Sequence, residues 1–324
     1  MKRLSLSALL TILPYSLQTM AWGFFAHKKI NHLAVYTLPA GMFGFYKEHI
    51  DFLTEHAVDP DKRRYAVADE AARHYIDLDH YGENPFEIFP MTWKQAVEKF
   101  SEDTLMAYGI VPWWVLIMHQ RLTDAFKARN ANAILRLSAD IGHYIADAHV
   151  PLHCTKNYNG QLTNQQGIHA FWESRLPELF YMDYDFFTGK AQVIENPYKE
   201  IWRVVYQSYQ AKDSVLSFES ALNRQTPPDR KYVYEQRGAA TLRTYSREYS
   251  ESYHNMLGGQ VERRMRESVL CIGSFWFTAW DAANRPDLSN LKLNLSEEEK
   301  KQLEEEDRLW RTGKVKNDKG HTDY

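Results

Sequence analysis

Apolar positions recur at helical spacing along most of the chain. In residues 28–56, Ile30, Leu33, Ala34 and Leu38 fall on one face. Pro39 and Gly41 interrupt that pattern and it resumes over residues 43–53. Residues 92–108 place Trp93, Ala96, Val97 and Phe100 on one side of a further helix, and residues 112–128 are apolar around most of the circumference, which predicts near-complete burial. A helix over residues 131–150 is closed by Pro151. Helices are also expected over residues 168–179, 196–222, 231–255 and 261–283, with a break at Pro227-Pro228. A charged helix begins at Ser296 and passes into a polar tail expected to fray. No sustained alternation, glycine-rich phosphate loop or internal repeat interrupts this picture. The expected fold is a single all-α, multi-helix domain over residues 22–295, followed by the charged segment 296–324.

The N-terminus departs from the helical pattern in kind. Lys2 and Arg3 precede an apolar run from Leu4 to Leu17, and Thr19-Met20-Ala21 supplies small residues where a signal peptidase would cut. The run is too short for a comfortable membrane span, so residues 1–21 are expected to be a cleaved secretory signal and the mature protein secreted or periplasmic. Composition adds two limits. The 324 residues are 44% hydrophobic and 14% aromatic, enough for a sizeable core, and the formal net charge of -3 argues against a generally basic, nucleic-acid-coating surface. Cys154 and Cys271 are the only cysteines. Export would permit a disulfide between them, and Cys154 also adjoins His153.

The candidate chemistry concentrates in HYIADAHVPLH and GIHAFWE. His143 and Asp147, and again His169 and Glu173, stand at i,i+4 spacing, and His153 follows Asp147 by six positions. On a helix, each pair turns an imidazole and a carboxylate to one side. Upstream, His74 lies among acids, and Asp77 is an expected orienting partner for it. Cleavage after Ala21 would make Trp22 the first residue, and its amine and carbonyl could chelate a metal with His27 completing the bite. Asp59 and Asp61 are both candidates before His74, and Asp69 reads as a surface or outer carboxylate. These nitrogen and oxygen donors suit zinc in a hydrolytic rather than a structural site and are too many for one ion.

The motifs resemble the zinc-dependent phospholipase C superfamily, which includes the single-strand-specific nucleases. The resemblance rests on His143-Tyr144-x-x-Asp147-x-x-x-Pro151-x-His153, Trp22-Gly-x-x-x-His27, His74-Tyr-Ile-Asp77 and Gly167-Ile-His169-Ala-Phe-Trp-Glu173, and covers the chain to about Leu179. It implies three zinc ions. One would be held by Trp22, His27 and Asp147, a second by Asp61, His74, His143 and a bridging Asp147, and a third by His153, His169 and Glu173. Pro60-Asp61-x-x-Arg64 resembles the nuclease motif P-D-x-x-R, which implies Asp61 as the ligand and possible general base, and Arg64 as a phosphate contact. The closing Glu173 resembles the phospholipase branch, whereas Trp172 resembles the nucleases. The expected substrate is therefore a phosphodiester, with phospholipid preferred and single-stranded nucleic acid the alternative. A zinc-binding protein without catalysis is the reading from another class.

Overall fold

The computed structural model describes residues 24–237 and 240–313. Trp22, the expected signal at 1–21 and the polar tail from 314 lie outside the described residues. The first described element, α1 (Phe24–Ala34), carries His27 and buries Ala26, Ile30 and Ala34. Pro39 caps α2 (Ala40–Glu48), and α3 (Ile50–Glu55) and the short α4 (Asp59–Arg63) follow. Two further helices, α5 (Trp93–Phe100) and α6 (Glu102–Tyr108), occupy the stretch expected to be one helix. The break falls at Ser101, whose backbone is left-handed at φ 69° and whose Oγ accepts the Thr104 N–H. A serine followed by Glu102 and Asp103 is a helix start, and here it overrides the apolar continuity.

The centre is built by α7 (Val111–Lys127) and α8 (Ala131–Ala148) with α14 (Gln260–Ala282) and α1. Asn130 starts α8 by accepting the Ala133 N–H at 3.1 Å. The helix ends three residues before Pro151, and residues 151–154 form a tight 3₁₀ turn. Trp276 of α14 donates its indole N–H to the Ser138 carbonyl at 3.0 Å, and Tyr46 reaches the Ser138 hydroxyl at 2.8 Å, so the polar groups of this seam are paired.

His119 of α7 lies edge-on to Phe275, and burial lowers its pKa to about 4. The unfolded chain takes up this proton near pH 6.5 and the folded chain only near 4. Stability should therefore fall by on the order of 2 kcal/mol as pH drops across that window. His119→Gln should flatten that slope in urea melts between pH 7 and 4; an unaltered slope would contradict it.

Residues 168–179 were expected to form one helix and do follow one path, with a widened turn inside it. α9 (Ile168–Ala170) runs into a π-turn at Phe171–Arg175 and then into α10 (Leu176–Phe180). Pro177 has no N–H to offer the Glu173 carbonyl four residues back, so the α-pattern cannot continue through it. The long α11 (Pro197–Gln225) packs over the 151–154 turn, its Ser208 hydroxyl donating to the Ala148 carbonyl at 2.6 Å.

The expected helix over 231–255 is corrected in its first half. After the single turn α12 (Pro228–Lys231), β1 (Tyr232–Arg237) pairs antiparallel with β2 (Ala240–Tyr245), with Tyr232 opposite Tyr245. Aromatic and β-branched residues favour this pleated surface, and Tyr245 stacks on Phe171 with centroids 3.7 Å apart. The helix begins only at α13 (Arg247–Met256), capped by Ser246. The final helix, α15 (Glu297–Arg311), has a capping box at Ser296 and Glu299 and lies against α4. The protein is thus all-α around one core, with a single small hairpin among the described residues. Cys154 and Cys271 are both buried free thiols, so the disulfide that export would permit is not formed. No helix among the described residues is long and apolar enough to cross a membrane.

Candidate metal centre

Four segments converge on the Asp147 carboxylate: α1 with His27, the turn after residues 71–73 with His74, α8 with His143, and the 151–154 turn with His153. Its Oδ2 lies 2.9 Å from His74 Nδ1 and 3.2 Å from His143 Nε2, while its Oδ1 lies 3.3 Å from His27 Nε2 and 3.8 Å from His153 Nδ1. The two oxygens therefore face different imidazoles, which is the geometry of a bridging carboxylate. Asp147 is 2% exposed. Burial opposes its charge, but His143 and His153 outweigh that and hold the carboxyl well below its usual range.

Backbone carbonyls fix two of the rings. His143 Nδ1 is 2.9 Å from the Ala57 carbonyl and His153 Nδ1 is 2.8 Å from the His74 carbonyl. Each Nδ1 must carry the hydrogen to make that bond, so the Nε2 lone pair is presented inward when the ring is neutral. His143 Nε2 then faces both Asp147 and Asp61. Burial alone would lower the His143 pKa; the Asp147 and Asp61 carboxylates outweigh it and raise it to about 9.

Of Asp59 and Asp61, α4 places Asp61 beside the histidines. Asp61 Oδ1 stands 3.6 Å from His143 Nε2 and 3.8 Å from His74 Nδ1. Asp59, two residues earlier, shares a hydrogen bond with His56 at 2.6 Å and pairs with the Lys62 charge at 3.6 Å. Asp69 is exposed. Arg64 is half-buried in the turn closing α4, where its charge acts on the Tyr75 phenol.

His153, His169 and Glu173 form a second focus. Glu173 Oε2 is 2.9 Å from His169 Nε2 and 3.4 Å from His153 Nε2. Burial raises the Glu173 pKa, but the two imidazoles prevail and take it down to about 2. The π-turn that carries Glu173 is clamped from outside, since Arg175 pairs with Glu235 of β1. Three sets of donor atoms result: His27, Asp61 and His143; His74, His143 and Asp147; and His153, His169 and Glu173, the atoms of each within 4.8 Å of one another. Buried imidazoles and carboxylates at this spacing fit metal ions, so three groups could hold them. Trp22, the remaining expected ligand, lies outside the described residues.

One expectation is corrected. The carboxylate behind His74 is Glu70, not Asp77: Glu70 Oε1 lies 3.7 Å from His74 Nε2. Glu70 is fully buried and also receives the Tyr144 hydroxyl and the Arg73 guanidinium. Burial disfavours its charge, yet His74, Arg63 and Arg73 together lower its pKa to about 2. The signal was present in the sequence, because Glu70 precedes His74 by the same four residues that separate the other pairs. Asp77 instead donates its backbone N–H to the Tyr108 carbonyl, and burial beside Asp79 raises its pKa to about 8. No protein-family model matches the chain, and a search of curated proteins finds no match either.

Proposed function

We propose that the chain is a secreted zinc-dependent phosphodiester hydrolase of the phospholipase C type. The observation that carries this reading is the division of the Asp147 carboxylate, one oxygen toward His27 and the other toward His74 and His143. A single closed structural site needs only four ligands, whereas this cluster is larger and continuous through His153. Its donors are imidazole and carboxylate without thiolate, which favours zinc in a hydrolytic role.

His143 has one ring nitrogen committed to Ala57, so it serves one ion. That ion is assigned to Asp61, His74, His143 and Asp147. His27 and the other Asp147 oxygen, with the Trp22 amine and carbonyl, would hold a second. His153, His169 and Glu173 would hold a third. Bound zinc supplies polarisation of the phosphoryl oxygens and a water acidic enough to ionise near neutral pH. Asp61 is 16% exposed, against 9% or less for the other described candidate ligands. It therefore stands at the open side, where its Oδ atoms can accept the proton of the attacking water. Arg64, one turn onward, is assigned to the substrate phosphate.

Glu173 as the closing carboxylate supports the lipid reading. Trp172, which resembles the nuclease motif, is fully buried and donates its indole N–H to Gln260 at 3.1 Å. Its identity answers to core packing and carries no weight on substrate. The test assays phosphatidylcholine and single-stranded DNA side by side with zinc-loaded protein. Release of phosphocholine supports the proposal; cleavage of DNA alone assigns the nuclease branch. Bound zinc with no hydrolysis of bis-p-nitrophenyl phosphate assigns a non-catalytic zinc protein.

Zinc uptake should be coupled to proton release. With a pKa of about 9 in the metal-free site, His143 carries a proton at pH 7 that a metal must displace. Affinity should rise from pH 6 toward 9, and calorimetric heats at pH 7 should depend on the ionisation enthalpy of the buffer. Buffer-independent heats would contradict this.

A further inference from the structure

The charged C-terminal helix lies where an inert appendage would have no reason to lie. Its N-terminus is pinned to the start of α8: Asn132 donates to Glu299 at 3.0 Å and to the Asn294 carbonyl at 2.8 Å, and accepts the Asn294 N–H at 2.9 Å. Its last turns reach the two segments that carry Asp61 and His27. Asp307 pairs with Lys62 at 3.3 Å. Trp310 lies 5.2 Å from the Phe24 ring, centroid to centroid, and Lys62 Nζ lies 5.8 Å from the same indole. Glu306, 5% exposed on an otherwise solvated helix, is turned toward α4, where the Arg63 charge acts on it.

Lys62 and Arg63 follow Asp61 directly, and Phe24 precedes His27 by three residues. α4 is only five residues long and has no side-chain cap at its start. So short a helix holds its place by tertiary contact rather than by its own hydrogen bonds. The first turn of α1 is likewise a helix end, which frays unless an outside contact holds it. One helix, through Asp307 and Trp310, supplies contacts to both.

We propose that α15 is a strap that positions the Asp61 turn and the start of α1, and so sets the metal affinity of that half of the centre. Trp310 is the positioning residue. This inference rests on the metal reading given above, and it adds a role for a segment beyond the ligand motifs. Residues behind a metal's ligands commonly govern affinity by ten- to a hundredfold.

The test compares Trp310→Ala and Trp310→Phe in the full-length protein by two measurements. The first is amide hydrogen exchange over residues 24–28 and 59–64. Trp310→Ala should raise exchange there about tenfold while leaving the centre of α11 unchanged, and Trp310→Phe should restore protection. The second is zinc competition with a chromophoric chelator. Trp310→Ala should release one class of zinc about tenfold more readily, with the class lost in a Glu173→Gln variant keeping its affinity. Unchanged exchange in the two segments, or a rise spread evenly over the protein, would overturn the strap. Zinc weakened equally in every class would overturn its restriction to the Asp61 half. A wild type that takes up no zinc would overturn the affinity role together with the metal reading, while the exchange result would still decide whether the strap holds those segments.

Discussion

Asp147→Asn should abolish most of the activity, lowering phosphodiester hydrolysis by more than about a hundredfold, beyond the range usual for residues that only support a ligand. The carboxylate is buried, and His27, His74, His143 and His153 all lie within 3.8 Å of it. An amide keeps the shape but presents one oxygen and one N–H₂, so it cannot offer an acceptor to both sides. It also removes the charge that raises the His143 pKa. In the variant His143 should titrate below 9, and the metal content should fall by at least one zinc per chain. Metal analysis and NMR titration of the imidazole check both. A variant keeping its full metal content and a tenth of the activity would remove Asp147 from the bridging role.

Gly142→Ala is the second large effect, and it acts through packing. Gly142 lies beside His143, on the side of α8 that meets Asn31 of α1. A Cβ there would land on the side-chain oxygen of Asn31. Asn31 cannot swing aside without loss, since its amide donates to the Ala139 carbonyl at 3.0 Å and reaches the Leu53 carbonyl at 3.5 Å. It is 1% exposed, so any freed polar atom stays buried and unsatisfied. The helices must separate or the bonds break, at a cost of about 2–3 kcal/mol. Because α1 carries His27 and α8 carries His143 and Asp147, the same displacement should loosen the metal centre. The expected outcome is a lower urea midpoint together with weaker zinc retention. Pairing the change with Asn31→Ala, which vacates the space, should recover part of the zinc retention. Wild-type stability in Gly142→Ala alone would contradict the close approach.

Much of the centre was legible in the sequence because helices make spacing readable. His143 with Asp147, and His169 with Glu173, meet as their i,i+4 separation requires, even though the second pair runs from α9 into a π-turn rather than along an ideal helix. What spacing could not decide was which of two aspartates flanking one proline faces the histidine cluster. That depends on how α4 is oriented against α8: the fold points Asp61 at His74 and His143 and leaves Asp59, itself buried, to His56. Glu70 was overlooked for a different reason: its role depends on Tyr144, 74 residues away along the chain, as well as on the nearby Arg63. The hairpin was missed because its strands lack a clean apolar alternation and gain their place by stacking on Phe171. Ser101 shows the opposite error, in which apolar continuity hid a local cap.

As proposed, this cluster, loaded with zinc, hydrolyses phosphodiesters. The most direct measurement is the rate of bis-p-nitrophenyl phosphate hydrolysis by purified mature protein before chelation, after chelation, and after zinc is returned. Activity should disappear with the metal and come back with zinc in proportion to the zinc bound. No activity in protein shown to carry its zinc, or a rate unchanged by complete chelation, would contradict it.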